Sequence, residues 1–218
     1  MALERTFIVL FTAFPMMTQT AEKMIRLPAP VLKGGVTVEE ALNRRRSIRD
    51  FAETPLSLRE VGQLVWAAQG ISYSPNRRTS PSAGATYPLV LYLVVNRAEN
   101  LDPGVYRYHP EEHGLTSLKT GDVSDALVRA CLNQRFVKSA SVVLVIAAKS
   151  ERTTRRYGER GVRYVHMECG HAGQNIYLQA EAMALGTVAV GAFEDARVQE
   201  VTGIPEPVLY LFPVGHKP

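Results

Sequence analysis

The sequence predicts a protein of the α+β class, and three observations carry that prediction. Two near-continuous apolar runs, residues 89–95 and 142–148, are typical of strands that are buried on both faces. Residues 162–185 form the longest helical pattern in the chain, with Cys169 and Ala172 on its apolar face. Because helices and strands mix without a strict strand–helix–strand repeat, the pattern favours α+β over a parallel α/β sheet.

The composition is that of an ordinary globular protein with enough residues for a substantial core. The chain has 218 residues, of which 46% are hydrophobic and 21% charged, and its net charge is +4. Since the clustered arginines are few, a small anionic ligand explains the mild basicity better than a nucleic acid does. Cys131 and Cys169 lie far apart without CxxC spacing, which predicts buried free thiols rather than a disulfide framework.

Two helices near the start of the domain are predicted by their capping boxes. Thr37 and Glu40 form the first capping box, and Ser57 and Glu60 form the second. The second helix is expected to end at Gly70, a residue type suited to the left-handed position that follows many helices.

The rest of the chain is predicted as a series of short elements around the long helix. These are a hairpin with strands at 106–108 and 115–118, a helix at 123–132, an irregular basic segment at 152–161, a strand at 187–193, a short helix from Asp195 to Gly203 and a last strand at 208–214. The long helix is expected to reach Leu185 and to be ended by Gly186.

Residues 1–20 are predicted to be a leader or an N-terminal arm, followed by a single domain at 21–218. Arg5 and the apolar run at 7–14 resemble the start of a signal peptide. The run is too short to span a bilayer, Pro15 interrupts it, and no A-x-A cleavage site follows. A cytoplasmic protein is therefore favoured, with export as the alternative.

An arginine-rich segment follows the first predicted helix. Residues 44–51 contain four arginines and Ser47. Guanidinium groups and a hydroxyl at a helix end suit a phosphate, whereas most runs of charge are solvated surface. From these residues alone, phosphate binding and plain surface charge stay open as alternatives.

Two further stretches could bring the backbone close to a flat ligand. Residues 71–88 are too long for an idle connection, and their segment 80–88 combines small residues with hydroxyls. Gly191 and Ala192 follow the end of a predicted strand, where a backbone N–H could face a ligand. The structural alternatives are a turn-rich loop and a tight strand–helix turn.

Other common sites are not indicated by the sequence. It has no Gly-x-Gly-x-x-Gly after a strand, no P-loop lysine motif and no convincing Ser-His-Asp arrangement. His166 and His171 are five residues apart on one predicted helix, so their side chains diverge around it, and no His/Cys cluster offers further ligands. No metal is expected.

Taken together, the three stretches resemble the FMN-dependent nitroreductase superfamily, over roughly residues 36–216. The resemblance implies a nitroreductase-like fold, a mostly antiparallel mixed sheet flanked by helices, in an intertwined homodimer with FMN at the interface. It also implies the cofactor-binding residues: Arg45, Arg46, Ser47 and Arg49 for the FMN phosphate and ribityl chain, Pro81, Ser82, Ala83 and Gly84 reaching the flavin from the partner subunit, Gly191 and Ala192 facing flavin N5, and Lys217 as the remaining C-terminal basic residue.

Three stretches, residues 82–88, 157–164 and 170–175, are similar to one subgroup, the SagB-type dehydrogenases. Such proteins oxidise azoline rings in peptides to azoles, and the peptide-oxidising members carry a Lys-Tyr pair ahead of the long helix. Arg156 and Tyr157 stand at that position here and are the candidate catalytic residues implied by the resemblance.

The resemblance implies an FMN-dependent oxidoreductase in which the flavin carries the hydride chemistry and NADH or NADPH is the electron donor. Reduction of nitroaromatic or quinone-type acceptors is the first expectation. Oxidation of peptide azolines is the enzymatic alternative, and a flavin-binding or sensing protein without turnover is the non-enzymatic one. The expected partners are a small-molecule or peptide substrate and a second copy of the chain, with neither nucleic acid nor membrane.

Overall fold

A seven-stranded sheet organises the described part of the chain, in the spatial order β1-β4-β3-β2-β5-β7-β6. The computed structural model describes residues 23–75 and 77–218, so the predicted leader at 1–20 lies outside the described residues. The strands are β1 (Ile25–Arg26), β2 (Leu89–Val95), β3 (Gly104–His109), β4 (Gly114–Thr120), β5 (Val142–Ala148), β6 (Leu185–Thr187) and β7 (Val208–His216).

The ladders between these strands are antiparallel. Two isolated bridges, Ser47–Thr187 and Leu56–Ala98, are parallel, so the sheet is mixed although it is mostly antiparallel. The predicted fold class is therefore confirmed, as is the hairpin, whose two strands are longer than the sequence pattern indicated.

The two apolar runs form the centre of the sheet. Strands β2 and β5 pair over their full length, from Leu89 opposite Ala148 to Val95 opposite Val142. All their residues are buried, as the uninterrupted apolar runs predict.

Seven α-helices flank the sheet within the described residues. They are α1 (Val38–Arg44), α2 (Leu58–Gln69), α3 (Ser124–Ala130), α4 (Phe136–Ser139), α5 (Glu151–Tyr157), α6 (Arg160–Ala182) and α7 (Asp195–Thr202). Both predicted capping boxes are present, at Thr37–Glu40 and Ser57–Glu60.

Helices cover the sheet on both faces. On one face, Leu64 of α2 and Ile176 of α6 belong to the same buried cluster as Leu144 of β5. On the other face, Leu127 of α3 packs in a second cluster with Val143, the neighbour of Leu144 on β5. Successive residues of a strand point to opposite faces of the sheet, so the apolar strand β5 contributes to a hydrophobic core on each face.

Three predicted elements are wrong. Residues 152–161 were expected to be irregular, but most of them lie in helix α5, whose arginines favour helix and whose Thr153 is buried. Helix α6 ends at Ala182, because Leu185–Thr187 pairs with β7 as strand β6. The expected strand at 187–193 is reduced to that end of β6 and a single bridge between Val190 and Leu211.

Gly70 does follow α2, but the reason for the glycine is not a left-handed turn. Its φ is −67°, and a Cβ at this position would lie 2.2 Å from Trp66 Cδ1. The glycine is needed because the Trp66 side chain folds back over the helix end, where its indole N–H donates to the Ile71 carbonyl at 2.9 Å.

Both cysteines are buried free thiols, as predicted. Burial raises the pKa of Cys131 and of Cys169 to about 12, so neither has the thiolate character of a reactive cysteine. No helix in the described part of the chain has the length and apolar character needed to cross a membrane. Within the same residues, no group of three or more His, Cys, Asp or Glu side chains could hold a metal ion.

Candidate functional site

The arginine-rich segment joins the sheet directly after α1. Ser47 bridges Thr187 of β6, and the Ile48 amide donates to the Thr187 carbonyl at 2.9 Å. This anchoring fixes the backbone from which Arg45, Arg46 and Arg49 project. Arg45 is half-buried, and the other two are exposed.

The guanidinium groups of Arg45, Arg46 and Arg49 are held by neutral partners, whereas Arg44 pairs with Glu40. Arg45 lies 4.9 Å from the centroid of the Tyr177 ring, and Arg49 lies 5.7 Å from that of Phe136. Arg46 Nη1 donates to the carbonyls of Asn43 and Arg45, both at 2.8 Å. Within residues 23–75 and 77–218, none of these three arginines forms an ion pair with a carboxylate. Their charge is therefore available to an anionic ligand, which favours the phosphate interpretation over plain surface charge.

Tyr177, which the sequence analysis did not single out, connects the arginine segment to the turn at 190–193. Its hydroxyl lies 3.1 Å from Ser47 Oγ and accepts a hydrogen bond from the Ala189 amide at 2.8 Å. Gly173, one turn earlier on α6, allows the close approach that places this tyrosine. A Cβ at Gly173 would lie 2.5 Å from Phe212 Cζ, and the Tyr177 ring meets the Phe212 ring edge-on at 6.0 Å. A tyrosine on a helical core face gives no sequence signal for such a contact.

The turn at 190–193 presents backbone rather than side chains. Val190 pairs with Leu211, and the Ala192 carbonyl accepts from Gln134 Nε2 at 2.8 Å. Both Gly191 and Ala192 are exposed, and neither of their amides donates to another described residue. A Cβ at Gly191 would meet only Tyr210, at 3.6 Å, so the space beside it is open. Two free N–H groups beside open space can serve as donors to a flat ligand.

The loop segment 80–88 is held against α5 and α6 of its own chain. The Ala83 amide donates to Glu168 Oε1 at 2.9 Å, and Ser82 Oγ accepts from the Tyr87 amide at 2.9 Å. Asn175 Nδ2 lies 3.1 Å from Ser80 Oγ, which itself donates to the Ala68 carbonyl at 2.8 Å. These hydrogen bonds therefore hold the loop in a defined conformation.

Glu168, which holds the loop segment 80–88, is a second residue that sequence reasoning missed. It is buried, and burial raises the pKa of its carboxyl, while the hydrogen bonds from Ala83 and Ser82 oppose that shift only in part. The available signal was its place four residues before Ala172, on the buried stripe of α6. A carboxylate on an apolar stripe indicates a specific buried partner.

Arg156 and Tyr157, the candidate catalytic pair, meet the same loop at Gly84. Arg156 Nη1 donates to the Gly84 carbonyl at 3.4 Å. Gly84 has φ +58°, and a Cβ there would lie 2.6 Å from Tyr157 Oη. The Tyr157 ring packs edge-on against Tyr164 at 5.2 Å. The structure therefore places the pair beside the predicted cofactor loop.

The predicted site residues fall into two groups within one chain. Arg45 and Ser47 contact Tyr177, and Gly191 follows two residues after Ala189, whose amide donates to the same tyrosine. Gly84 lies instead with Arg156 and Tyr157 at α5. No hydrogen bond or ion pair among the described residues joins the loop at 80–88 to the arginine segment. Lys217 belongs to neither group, because its Nζ is paired with Glu181 Oε2 at 2.7 Å.

The profile of the nitroreductase family matches residues 42–216 of this chain. A protein of Methanocaldococcus jannaschii that is named as a nitroreductase is 47% identical over 182 residues, which cover 84% of this chain and 92% of that protein. The chain also matches the trifolitoxin operon protein TfxC of Rhizobium leguminosarum bv. trifolii, with 25% identity over 195 residues, but spans only 54% of its length.

Two solved structures share the fold over most of this chain. One, named as a nitroreductase of Ralstonia eutropha, has a TM-score of 0.78 and 27% identity, covering 90% of each chain. The other is a chain of the E. coli microcin synthetase McbBCD complex with truncated pro-MccB17 bound. It has a TM-score of 0.68 and 25% identity, covering 98% of this chain and 85% of that one.

Proposed function

The chain belongs to the nitroreductase family, and from this premise and the site geometry we propose that it is an FMN-dependent oxidoreductase. Its electron donor is NADH or NADPH, and its acceptor is a small quinone or nitroaromatic. The observation that carries the proposal is the junction at Tyr177, whose hydroxyl contacts Ser47 of the arginine segment and the Ala189 amide, two residues before the free amides at 191–192. A flavin mononucleotide needs both features, cations for its phosphate and N–H donors for its ring edge.

Each part of the junction has a separate task in holding the cofactor. Arg45, Arg46 and Arg49 supply unpaired positive charge for the phosphate, and the Ser47 hydroxyl supplies a neutral donor beside them. The Gly191 and Ala192 amides would donate to the ring edge of the flavin, and bound FMN would supply the hydride chemistry. No general base is required of the chain for this reaction, because solvent can protonate a reduced quinone or nitro group.

The protein acts as a homodimer in this proposal. The loop segment 80–88 is rigidly held at α5 and α6, yet it makes no hydrogen bond to the arginine segment of its own chain among the described residues. A second copy supplies the missing half of the site if its loop lies over the first copy's arginine segment. The exposed stripe on α6 that includes Met167, Gly170 and Gln174 offers a surface for such an assembly.

A second candidate function is the oxidation of azoline rings in a peptide. Two observations favour it. The fold of a microcin synthetase chain matches 98% of this chain, and Arg156 and Tyr157 lie beside Gly84. This reaction removes a proton as well as a hydride, so it needs a proton acceptor near the substrate. Arginine keeps its proton at neutral pH, which leaves Tyr157 as the candidate acceptor and makes this the weaker proposal.

The test is to purify the protein, measure bound flavin, and follow NADH and NADPH oxidation with a quinone and with a nitroaromatic. Bound FMN with acceptor-dependent turnover is expected. A colourless protein that gains no flavin on reconstitution would refute the flavin proposal. Bound FMN without turnover toward either class of acceptor would instead support a flavin-binding or sensing role.

A further inference from the structure

A small cationic cavity lies behind the loop segment 80–88, outside the two groups of proposed cofactor residues. Arg78 reaches it from the loop at 71–88, Arg107 from β3 and Arg152 from α5. Among the described residues that line the cavity, Glu111 is the one carboxylate. The residues that line the cavity therefore include more arginines than carboxylates.

Arg78 carries the strongest indication of a ligand. Its side chain is only 14% exposed, and its Nη2 pairs with Glu111 Oε1 at 2.6 Å. Its Nη1 is buried and finds no hydrogen-bond acceptor among the described residues. A buried charged donor without an acceptor is costly, and such groups in native proteins usually have a specific reason.

Arg107 and Arg152 are also free of carboxylate partners. Neither forms an ion pair within residues 23–75 and 77–218. Arg107 is half-buried on β3, which pairs with β2 on one side and with β4 on the other. Like charges gathered at a partly enclosed site repel one another, and a bound anion would relieve this repulsion.

The size of the cavity restricts the class of ligand. Its volume is about 130 Å³. At roughly 30 Å³ for each water molecule, this holds about four waters or one small oxyanion.

We propose that this cavity is a binding site for a compact oxyanion, the phosphate or carboxylate group of a small ligand, with Arg78 as its main partner and Arg107 and Arg152 in its wall. The site also contacts the proposed flavin loop through Tyr87. Arg152 Nη1 donates to the Tyr87 carbonyl at 2.9 Å, and the Arg78 guanidinium lies 5.6 Å from the Tyr87 ring centroid. An anion that orders these arginines therefore stabilises the loop from behind. The proposal does not depend on flavin binding.

The experiment measures anion binding by calorimetry and by the shift in melting temperature, with inorganic phosphate and with acetate, at constant ionic strength set by chloride. The protein is used as purified and again after saturation with FMN. Arg107→Gln and Arg152→Gln remove cations from the cavity, and Arg129→Gln is the matched control, an exposed arginine on α3. Arg45→Ala tests the proposed flavin-phosphate segment separately.

We expect the wild type to bind at least one of the two anions, and the one that binds more tightly identifies phosphate or carboxylate as the ligand group. Arg107→Gln should weaken this binding roughly ten- to hundred-fold, as loss of a charge-assisted hydrogen bond does. With the arginine segment filled by FMN, Arg129→Gln and Arg45→Ala should both leave this binding unchanged. Absence of binding in the wild type, or its complete loss on FMN saturation or in Arg45→Ala, would overturn the proposal.

A crystal soaked in selenate gives a test that needs no variant. Anomalous density within hydrogen-bonding distance of Arg78 Nη1 supports the site, and density confined to the arginine segment at 44–49 refutes it. Because the flavin proposal is judged by FMN content and turnover, its failure is distinguishable from failure of the anion site.

Discussion

The Ser47 and Tyr177 hydroxyl oxygens lie 3.1 Å apart, although 130 residues separate them in sequence. This contact holds the end of the arginine segment against the longest helix. The same tyrosine oxygen accepts a hydrogen bond from the Ala189 amide, two residues before Gly191. One phenol thus fixes the spacing between the phosphate end and the ring end of the proposed flavin site.

Tyr177→Phe should weaken both the fold and the flavin site. Loss of the hydroxyl leaves the Ala189 amide without its acceptor, and an unsatisfied partly buried donor costs about 1–3 kcal/mol. Urea unfolding should show this loss, and fluorescence titration should show weaker FMN binding. Tyr73→Phe is the control, because Tyr73 is 89% exposed. Unchanged stability and FMN affinity in Tyr177→Phe would remove the tyrosine from the site.

Arg45→Ala and Arg49→Ala should each weaken FMN binding roughly ten- to hundred-fold, the effect of losing one charge-assisted hydrogen bond. Neither arginine is paired with a described carboxylate, so its removal exposes no buried charge and should change the melting temperature little. Flavin fluorescence titration measures the affinity, with Arg129→Ala as the exposed control. Wild-type affinity in both variants would reduce the segment to surface charge.

Gly84→Ala should distort the loop segment 80–88 for two separable reasons. An alanine at φ +58° carries a backbone cost of roughly 1–2 kcal/mol, and its Cβ would also press on Tyr157 Oη at 2.6 Å. Gly203→Ala is a matched control for the backbone term, since Gly203 has φ +73° with no atom near its Cβ.

The larger loss of unfolding free energy is expected in Gly84→Ala. Adding Tyr157→Phe removes the oxygen that a Cβ would strike, so the double variant should recover part of the difference. Equal losses in Gly84→Ala and Gly203→Ala, with no recovery in the double variant, would contradict the predicted packing of Tyr157 on this glycine.

Glu168 should give the protein a measurable dependence of stability on pH. Burial raises the pKa of its carboxyl above the ordinary value of 4.5, so the folded state holds this proton more tightly than the unfolded state. The contribution of Glu168 to stability is therefore present below that value and is lost as pH rises through the raised pKa. Glu168→Gln keeps an oxygen for the Ala83 amide and removes the titration.

The comparison is of unfolding free energy for the wild type and Glu168→Gln over roughly pH 4 to 7, the range in which carboxyl groups with raised pKa values titrate. The wild type should lose stability relative to the variant as pH rises. Glu200→Gln, at an exposed position on α7, is the control and should follow the wild type. Parallel curves for wild type and Glu168→Gln would show that the carboxyl is not perturbed.

Local patterns in the sequence predicted much of the fold but only part of the site. The capping box at Thr37, the buried strand at 89–95 and the loop after α2 all depend on neighbours in sequence, so they could be inferred. Helix α5 was missed because its arginines were interpreted as a charged irregular segment rather than as helix-favouring residues. Tyr177 was missed because its contact with the arginine segment is to Ser47, 130 residues away, and Glu168 was missed because its partner Ala83 is 85 residues away.

The residue at position 156 should decide which reaction the proposed flavin serves. Azoline oxidation requires a proton acceptor beside the ring, and a lysine with a lowered pKa can take that role, whereas arginine, with a pKa above about 12, cannot. Arg156 contacts the Gly84 carbonyl as a donor, which is a positioning contact rather than a basic one. We therefore expect clear NAD(P)H-dependent reduction of a quinone or nitroaromatic, and little oxidation of a peptide azoline.

Both assays should be run on the FMN-loaded protein, with Arg156→Lys and Tyr157→Phe alongside. Arg156→Lys should raise azoline oxidation if the missing base is what limits it. Robust azoline oxidation by the wild type, abolished in Tyr157→Phe, would make peptide oxidation the better proposal.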